Sequence, residues 1–113
     1  MEERRQSRVA ENQVTFRRAN EEIEEVAADL GESLTVRLIP FLCECAEPRC
    51  TQIIRLSRSE YEDVRASPRR FAVCPGHEVT LVDERVVARN DRFSTVEKVG
   101  EAGRVAAESD PRH

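Results

Sequence analysis

Apolar residues return at every seventh position along the first thirty residues, at Val9, Phe16, Ile23 and Leu30, with Asn12, Ala19 and Val26 at the intervening positions. That spacing makes one narrow stripe on an α-helix, the form of a helix–helix seam. Residues 1–31 are therefore expected as one long helix, a possible coiled coil with Gly31 as its C-cap. Val9, Phe16, Ile23, Val26 and Leu30 are its candidate interaction positions, facing a protein partner or a second copy in a homodimer. The competing reading lays this helix on its own domain. Asn12 is a polar seam residue of the kind that sets register, and Arg17 and Arg18 stand four before Glu21 and Glu22, as weak surface ion pairs do. The acidic run Glu21–Glu25 reads as a solvated face.

From Ser33 the period changes to two. Leu34, Val36 and Leu38 alternate with polar neighbours, as in a half-buried strand or an extended linker ending at Pro40. Thr51–Leu56 is a second strand. Ser57-Arg58-Ser59-Glu60 is a capping box that opens a short helix to about Ala66, which Pro68 ends. Arg69–Cys74 is a further strand, Val79–Leu81 is an apolar piece, and Asn90-Asp91 is the turn of a hairpin between Arg85–Arg89 and Phe93–Val99. Ala102–Glu108 suits a short helix, and residues 109–113 read as a frayed tail. The fold class is α+β: a long N-terminal helix, then a small antiparallel sheet with a short helix over residues 32–108.

Composition sharpens one point. The 113 residues are 35% charged and 4% aromatic, with no Trp. Without the first helix, some 70 residues remain to build a core, a size at which an added staple matters. The net charge of −4, with acids and bases interleaved, argues against nucleic acid as partner. No apolar run suits a membrane span or a signal peptide, so a cytoplasmic protein with reduced thiols is expected.

The staple is legible in the cysteines. Cys43, Cys45 and Cys50 lie within eight residues, and the fourth, Cys74, begins Cys74-Pro75-Gly76-His77. In an extended segment Cys43 and Cys45 point to the same side, and the Ala46–Arg49 insert, with Pro48, is a turn that returns Cys50 to them. Three thiolates leave one tetrahedral position for a Cys or His, which makes Zn2+ the expected cofactor, in a structural role. The Pro-Gly turn would swing His77 back to fill it. His77 is favoured, with Cys74 as the alternative fourth ligand, because Cys74 continues the apolar run Phe71-Ala72-Val73. A disulfide framework and four unrelated buried thiols are the competing readings.

Two resemblances meet here. The Cys-x-Cys-x4-Cys spacing resembles the zinc clip of post-SET segments, over about ten residues and without a SET domain. A longer likeness is to a group of small uncharacterised actinobacterial proteins, with Phe-x-Cys-Glu-Cys, four residues, Cys-Thr, Glu-Tyr-Glu, Pro-x-Arg-Phe and Pro-Gly-His. In this chain these are Phe41–Cys45, Cys50-Thr51, Glu60–Glu62, Pro68–Phe71 and Pro75–His77, followed by Arg85–Val87 and Val96–Lys98. That pattern implies His77 as the ligand. It has Gly where this chain has Ala46, and it brings no established activity.

These readings lead to a zinc-stabilised protein-interaction or regulatory module. A thiol-based redox or zinc-release switch would use the same residues. A zinc enzyme has less support, because Glu44 and Glu78, the acids beside the ligands, read as exposed charges. Arg65, Arg69 and Arg70 form a basic cluster better explained by pairing with Glu60 and Glu62 than by phosphate.

Overall fold

A computed structural model describes residues 2–31, 37–45, 47, 49–78 and 84–112, with the side chains of the first helix from Gln13 onward. In order these form α1 (Glu2–Asp29), β1 (Ile39–Leu42), β2 (Ile53–Leu56), α2 (Arg58–Val64), β3 (Arg70–Val73), β4 (Glu84–Arg89), β5 (Ser94–Lys98) and α3 (Gly100–Glu108). The class is α+β. All strand pairs are antiparallel, but the strands divide into a β1–β2 hairpin and a three-stranded sheet in the order β3-β5-β4. No helix among the described residues is long and apolar enough to cross a membrane.

Local chemistry sets several of these boundaries. Ser57 and Glu60 make the reciprocal capping box of α2, with Glu60 N donating to Ser57 Oγ at 3.1 Å and Ser57 N to Glu60 Oε1 at 2.8 Å. Asn90 closes the β4–β5 hairpin, its Oδ1 accepting from Arg92 N and Phe93 N. The imperfect alternation of β4 has its cause in a register shift, since Val86 pairs with Val96 and Ala88 with Thr95, leaving Val87 as a bulge. The expected strand or extended linker through Leu34 and Val36 lies outside the described residues, which omit 32–36 and 79–83, Val79–Leu81 among them; the described strand begins at Ile39 and runs through Pro40. Pro40 is tolerated because the neighbouring Cys43 N bonds back to Gln52 O on the hairpin partner, so residues of Pro40's parity face away from β2, where no N–H is needed.

Among the described residues, two apolar clusters form the core. One gathers Ile39, Phe41, Ile54, Leu56, Tyr61, Val64, Ala72 and Phe93 between the hairpin and α2, with Phe41 stacked on Tyr61 at 4.5 Å between ring centres. The other gathers Val14, Cys43, Cys45, Phe71, Val73, Val96 and Ala106 around the three-stranded sheet and α3. At Gly103, α3 comes so close to β5 that an added Cβ would sit 2.7 Å from Lys98 O.

The seam expected on α1 is not the face that docks. The helix lies against α3 and β1 through Gln13, Val14, Arg17, Asn20, Glu24 and Ala27, all buried. Of the expected positions, Phe16 is half-buried, Ile23 packs against the first cluster, and Val26 and Leu30 are 58% and 77% exposed; the side chains of Val9 and Asn12 lie outside the described residues. Arg17, expected on the surface, is buried, stacks over Phe71 at 4.5 Å, and donates to Pro68 O at 2.5 Å and Ala106 O at 2.8 Å. Its polar neighbours on the stripe find partners as distant in sequence, which is why a polar face can be the buried one.

Of the expected tail, Asp110 and Arg112 are docked, not frayed, and His113 lies outside the described residues. Asp110 pairs with Arg65, both side chains essentially inaccessible, and Arg65 also pairs with Glu21. Arg112 bonds Glu21, Glu24 and Glu62 at 2.6–3.1 Å. The basic cluster therefore has other partners than expected: Arg65 takes Glu21 and Asp110, Arg70 takes Glu97, and Glu60 is held by Arg92.

Candidate metal centre

The extended line of β1 continues past Leu42, so Cys43 and Cys45 present their sulfurs to one side and Glu44 its carboxylate to the other. Cys50 returns on a turn in which its N–H donates to Glu47 O at 3.1 Å, while Glu47 Oε1 accepts from Arg49 N. Ala46 and Pro48 of this insert lie outside the described residues. On the other limb, β3 runs out at Val73 and the chain reverses at Cys74-Pro75-Gly76-His77, with His77 N donating to Cys74 O at 2.9 Å. Gly76 has φ 91°, the conformation that favours glycine at the third position of a type II turn, after proline. The reversal aims His77 at the hairpin loop.

Cys43, Cys45, Cys50 and His77 are thereby brought together, one ligand atom from each lying within 4.8 Å of all the others. His77 Nδ1 is 3.5 Å from Cys43 Sγ and 3.6 Å from Cys50 Sγ. Cys43 and Cys45 are buried, and Cys50 and His77 are half-buried. No cysteine is in a disulfide. The sulfur of Cys74 is not in the group; this residue packs against both apolar clusters, and its backbone N–H donates to Cys43 Sγ at 3.1 Å.

Burial pushes the Cys43 and Cys45 thiols up, and the neighbouring sulfurs add to the rise at Cys43, against the Cys74 N–H that favours its thiolate. Such a set carries negative charge comfortably only beside a cation. The arrangement can bind a metal through three sulfurs and one imidazole nitrogen.

Glu44, expected as an exposed charge, is fully buried. Its Oε1 accepts from Ala72 N at 2.8 Å, and its Oε2 from Asn20 Nδ2 at 2.8 Å and Tyr61 OH at 3.2 Å. Burial raises its pKa, opposed by the Asn20 and Ala72 donors and by Arg17 and Arg65. Asn20 also pairs with Leu42 in both directions at 2.8 Å, and Gln13 Nε2 donates to Glu44 O at 3.1 Å and Glu84 Oε1 at 3.3 Å. The two-residue period of the strand already places Glu44 opposite the sulfurs; the helical spacing of Gln13, Asn20 and Glu24 was the matching signal. No protein-family model, curated protein or solved structure matches the chain.

Proposed function

We propose that Cys43, Cys45, Cys50 and His77 hold one structural zinc ion, and that the stapled domain is a protein-interaction module offering the outer side of α1 to a partner or a second copy. The observation that carries the zinc is the convergence of the four ligand atoms within 4.8 Å. Zinc bonds of about 2.3 Å to sulfur and about 2.05 Å to nitrogen, at tetrahedral angles, separate S and N by about 3.6 Å. The two sulfur–Nδ1 distances are 3.5 and 3.6 Å. Three sulfurs and an imidazole suit zinc better than the harder divalent cations, and four protein ligands fill the shell, which suits structure over catalysis.

The ion's place in the fold supports the same role. Three ligands come from the loop of the β1–β2 hairpin, and the fourth follows β3, so the metal joins one sheet to the other. Structural zinc is worth on the order of 10 kcal/mol of folding free energy in small domains. The interaction role draws on Val26 and Leu30, apolar residues left exposed at the C-terminal end of α1.

Native mass spectrometry with variants tests both parts. One zinc per chain is expected in the wild type and in Cys74→Ser, and loss of it in Cys50→Ser and His77→Ala. Retention of zinc by Cys50→Ser and His77→Ala would reject the ligand set. Val26→Glu with Leu30→Lys should abolish association and leave zinc content unchanged; association that survives the pair would reject the α1 surface.

A further inference from the structure

We infer that α1 is a releasable element whose docking is governed by the metal, an inference that rests on the zinc reading above. The segment Leu42–Cys45 serves two sites at once. On one side it supplies two of the sulfurs. On the other, the backbone of Leu42 and Glu44 and the carboxylate of Glu44 supply the hydrogen bonds that hold Asn20 and Gln13. Because side chains alternate along an extended chain, the geometry that points Cys43 and Cys45 at the ion is the geometry that points Glu44 at α1. Loss of the ion removes the tie through the sulfurs, and the backbone that α1 grips is then held by its bonds to Gln52 and Ala72 without the metal.

The composition of the docked face limits the apolar part of the cost of release. Gln13, Arg17, Asn20 and Glu24 are polar, and among the described side chains of α1 the apolar hold on the clusters comes from Val14, Ala27 and part of Ile23. Separating such an interface exchanges protein hydrogen bonds for bonds to water and uncovers the Phe71 ring beneath Arg17, whereas a wholly apolar seam would resist separation more strongly. The rest of the fold has its own support: β3, β4 and β5 are joined by an antiparallel ladder, bulged at Val87, and Phe41, Leu56 and Tyr61 close the first cluster. Metal removal therefore acts first on α1. Linkage makes the coupling reciprocal, so a weakened grip by α1 lowers the affinity for the ion by the same factor.

Two measurements test this on the full chain. In the first, amide hydrogen exchange is recorded on the zinc-loaded protein and after zinc is stripped by a chelator. Residues 13–27 are expected to lose protection by tenfold or more, roughly, while 70–73 and 94–98 keep theirs. Uniform loss over all these segments overturns the inference, since the ion then supports the whole domain. Full protection of residues 13–27 in the stripped protein overturns it too. In the second, zinc affinity is measured by chelator competition. Gln13→Ala with Asn20→Ala should weaken it about tenfold, within the usual range for coupled sites, and a change smaller than about twofold overturns the inference. A wild-type chain that retains no zinc in native mass spectrometry rejects the metal reading itself, a failure distinct from zinc bound without coupling.

Discussion

Glu44→Gln is the sharpest probe of the buried network, because the side chain keeps its shape while one acceptor oxygen becomes an NH2 donor and the charge is lost. The carboxylate takes one hydrogen bond on Oε1, from Ala72 N, and two on Oε2, from Asn20 and Tyr61. An amide has one oxygen. If that oxygen meets Ala72 N, the new NH2 faces the Asn20 amide; if it turns, the NH2 faces the Ala72 N–H. Asn20 is unable to flip in compensation, since its own oxygen accepts from Leu42 N while its nitrogen donates to Leu42 O. One buried donor is opposed in either orientation, at about 1–3 kcal/mol, and the remaining bonds lose their charge assistance. A loss of about 2 kcal/mol follows, and Glu44→Leu, which strands three donors, should lose about 4–6 kcal/mol, much of the stability of a domain this size. The assay is urea unfolding followed by far-ultraviolet circular dichroism, with free zinc held at one excess so that ligand linkage is constant. With a slope of about 1.5 kcal/mol/M, the Glu44→Gln midpoint should fall by roughly 1.3 M. A midpoint within about 0.3 M of wild type would refute the reasoning, since that is how an exposed surface charge behaves.

Other residues give independent tests. The Glu24 carboxyl is raised to about 7 by burial and by its hydrogen bond with, and repulsion from, Glu62, against the pull of Arg112. An unfolded glutamate releases its proton near pH 4.5 while the folded one still holds it, so this group costs stability increasingly from about pH 4.5 to about pH 7 and steadily above. The difference in unfolding free energy between Glu24→Gln and wild type should therefore grow in the variant's favour across that window and then level off; a difference independent of pH would count against it. Deleting residues 109–113 strips Arg65 of Asp110, one of its two partners, and removes Arg112, and should cost about 2–3 kcal/mol; an unchanged urea midpoint would mean that these residues do fray. Gly103→Ala should lower the melting temperature by several degrees, because backbone must move away from a Cβ placed 2.7 Å from Lys98 O. An equal or higher melting temperature would show that α3 sits farther from β5.

Much of this fold was legible in the sequence, because the signals are local. The Ser57–Glu60 cap, the Asn90 turn, the Pro75-Gly76 reversal and the two-residue period through Cys43 and Cys45 each depend on residues within a few positions of one another, and each fixes backbone geometry directly. The same is true of the four candidate ligands: three share one turn, and the turn at Gly76 aims the fourth. What only the tertiary structure decided is which face of α1 meets the domain. Periodicity groups residues that share a face, and it ranked the apolar stripe of Phe16 and Ile23 above the polar stripe of Gln13, Arg17, Asn20 and Glu24. A polar side chain prefers water unless a partner meets it, and here the partners are Leu42, Glu44, Glu84 and Ala106, between 22 and 89 residues away. For the same reason local pattern places Glu44 on an exposed face and Asp110 in a loose end, where the fold buries both. Burial of a charged or amide group is settled by donors and acceptors that converge only when the chain has folded, and no local pattern carries that information.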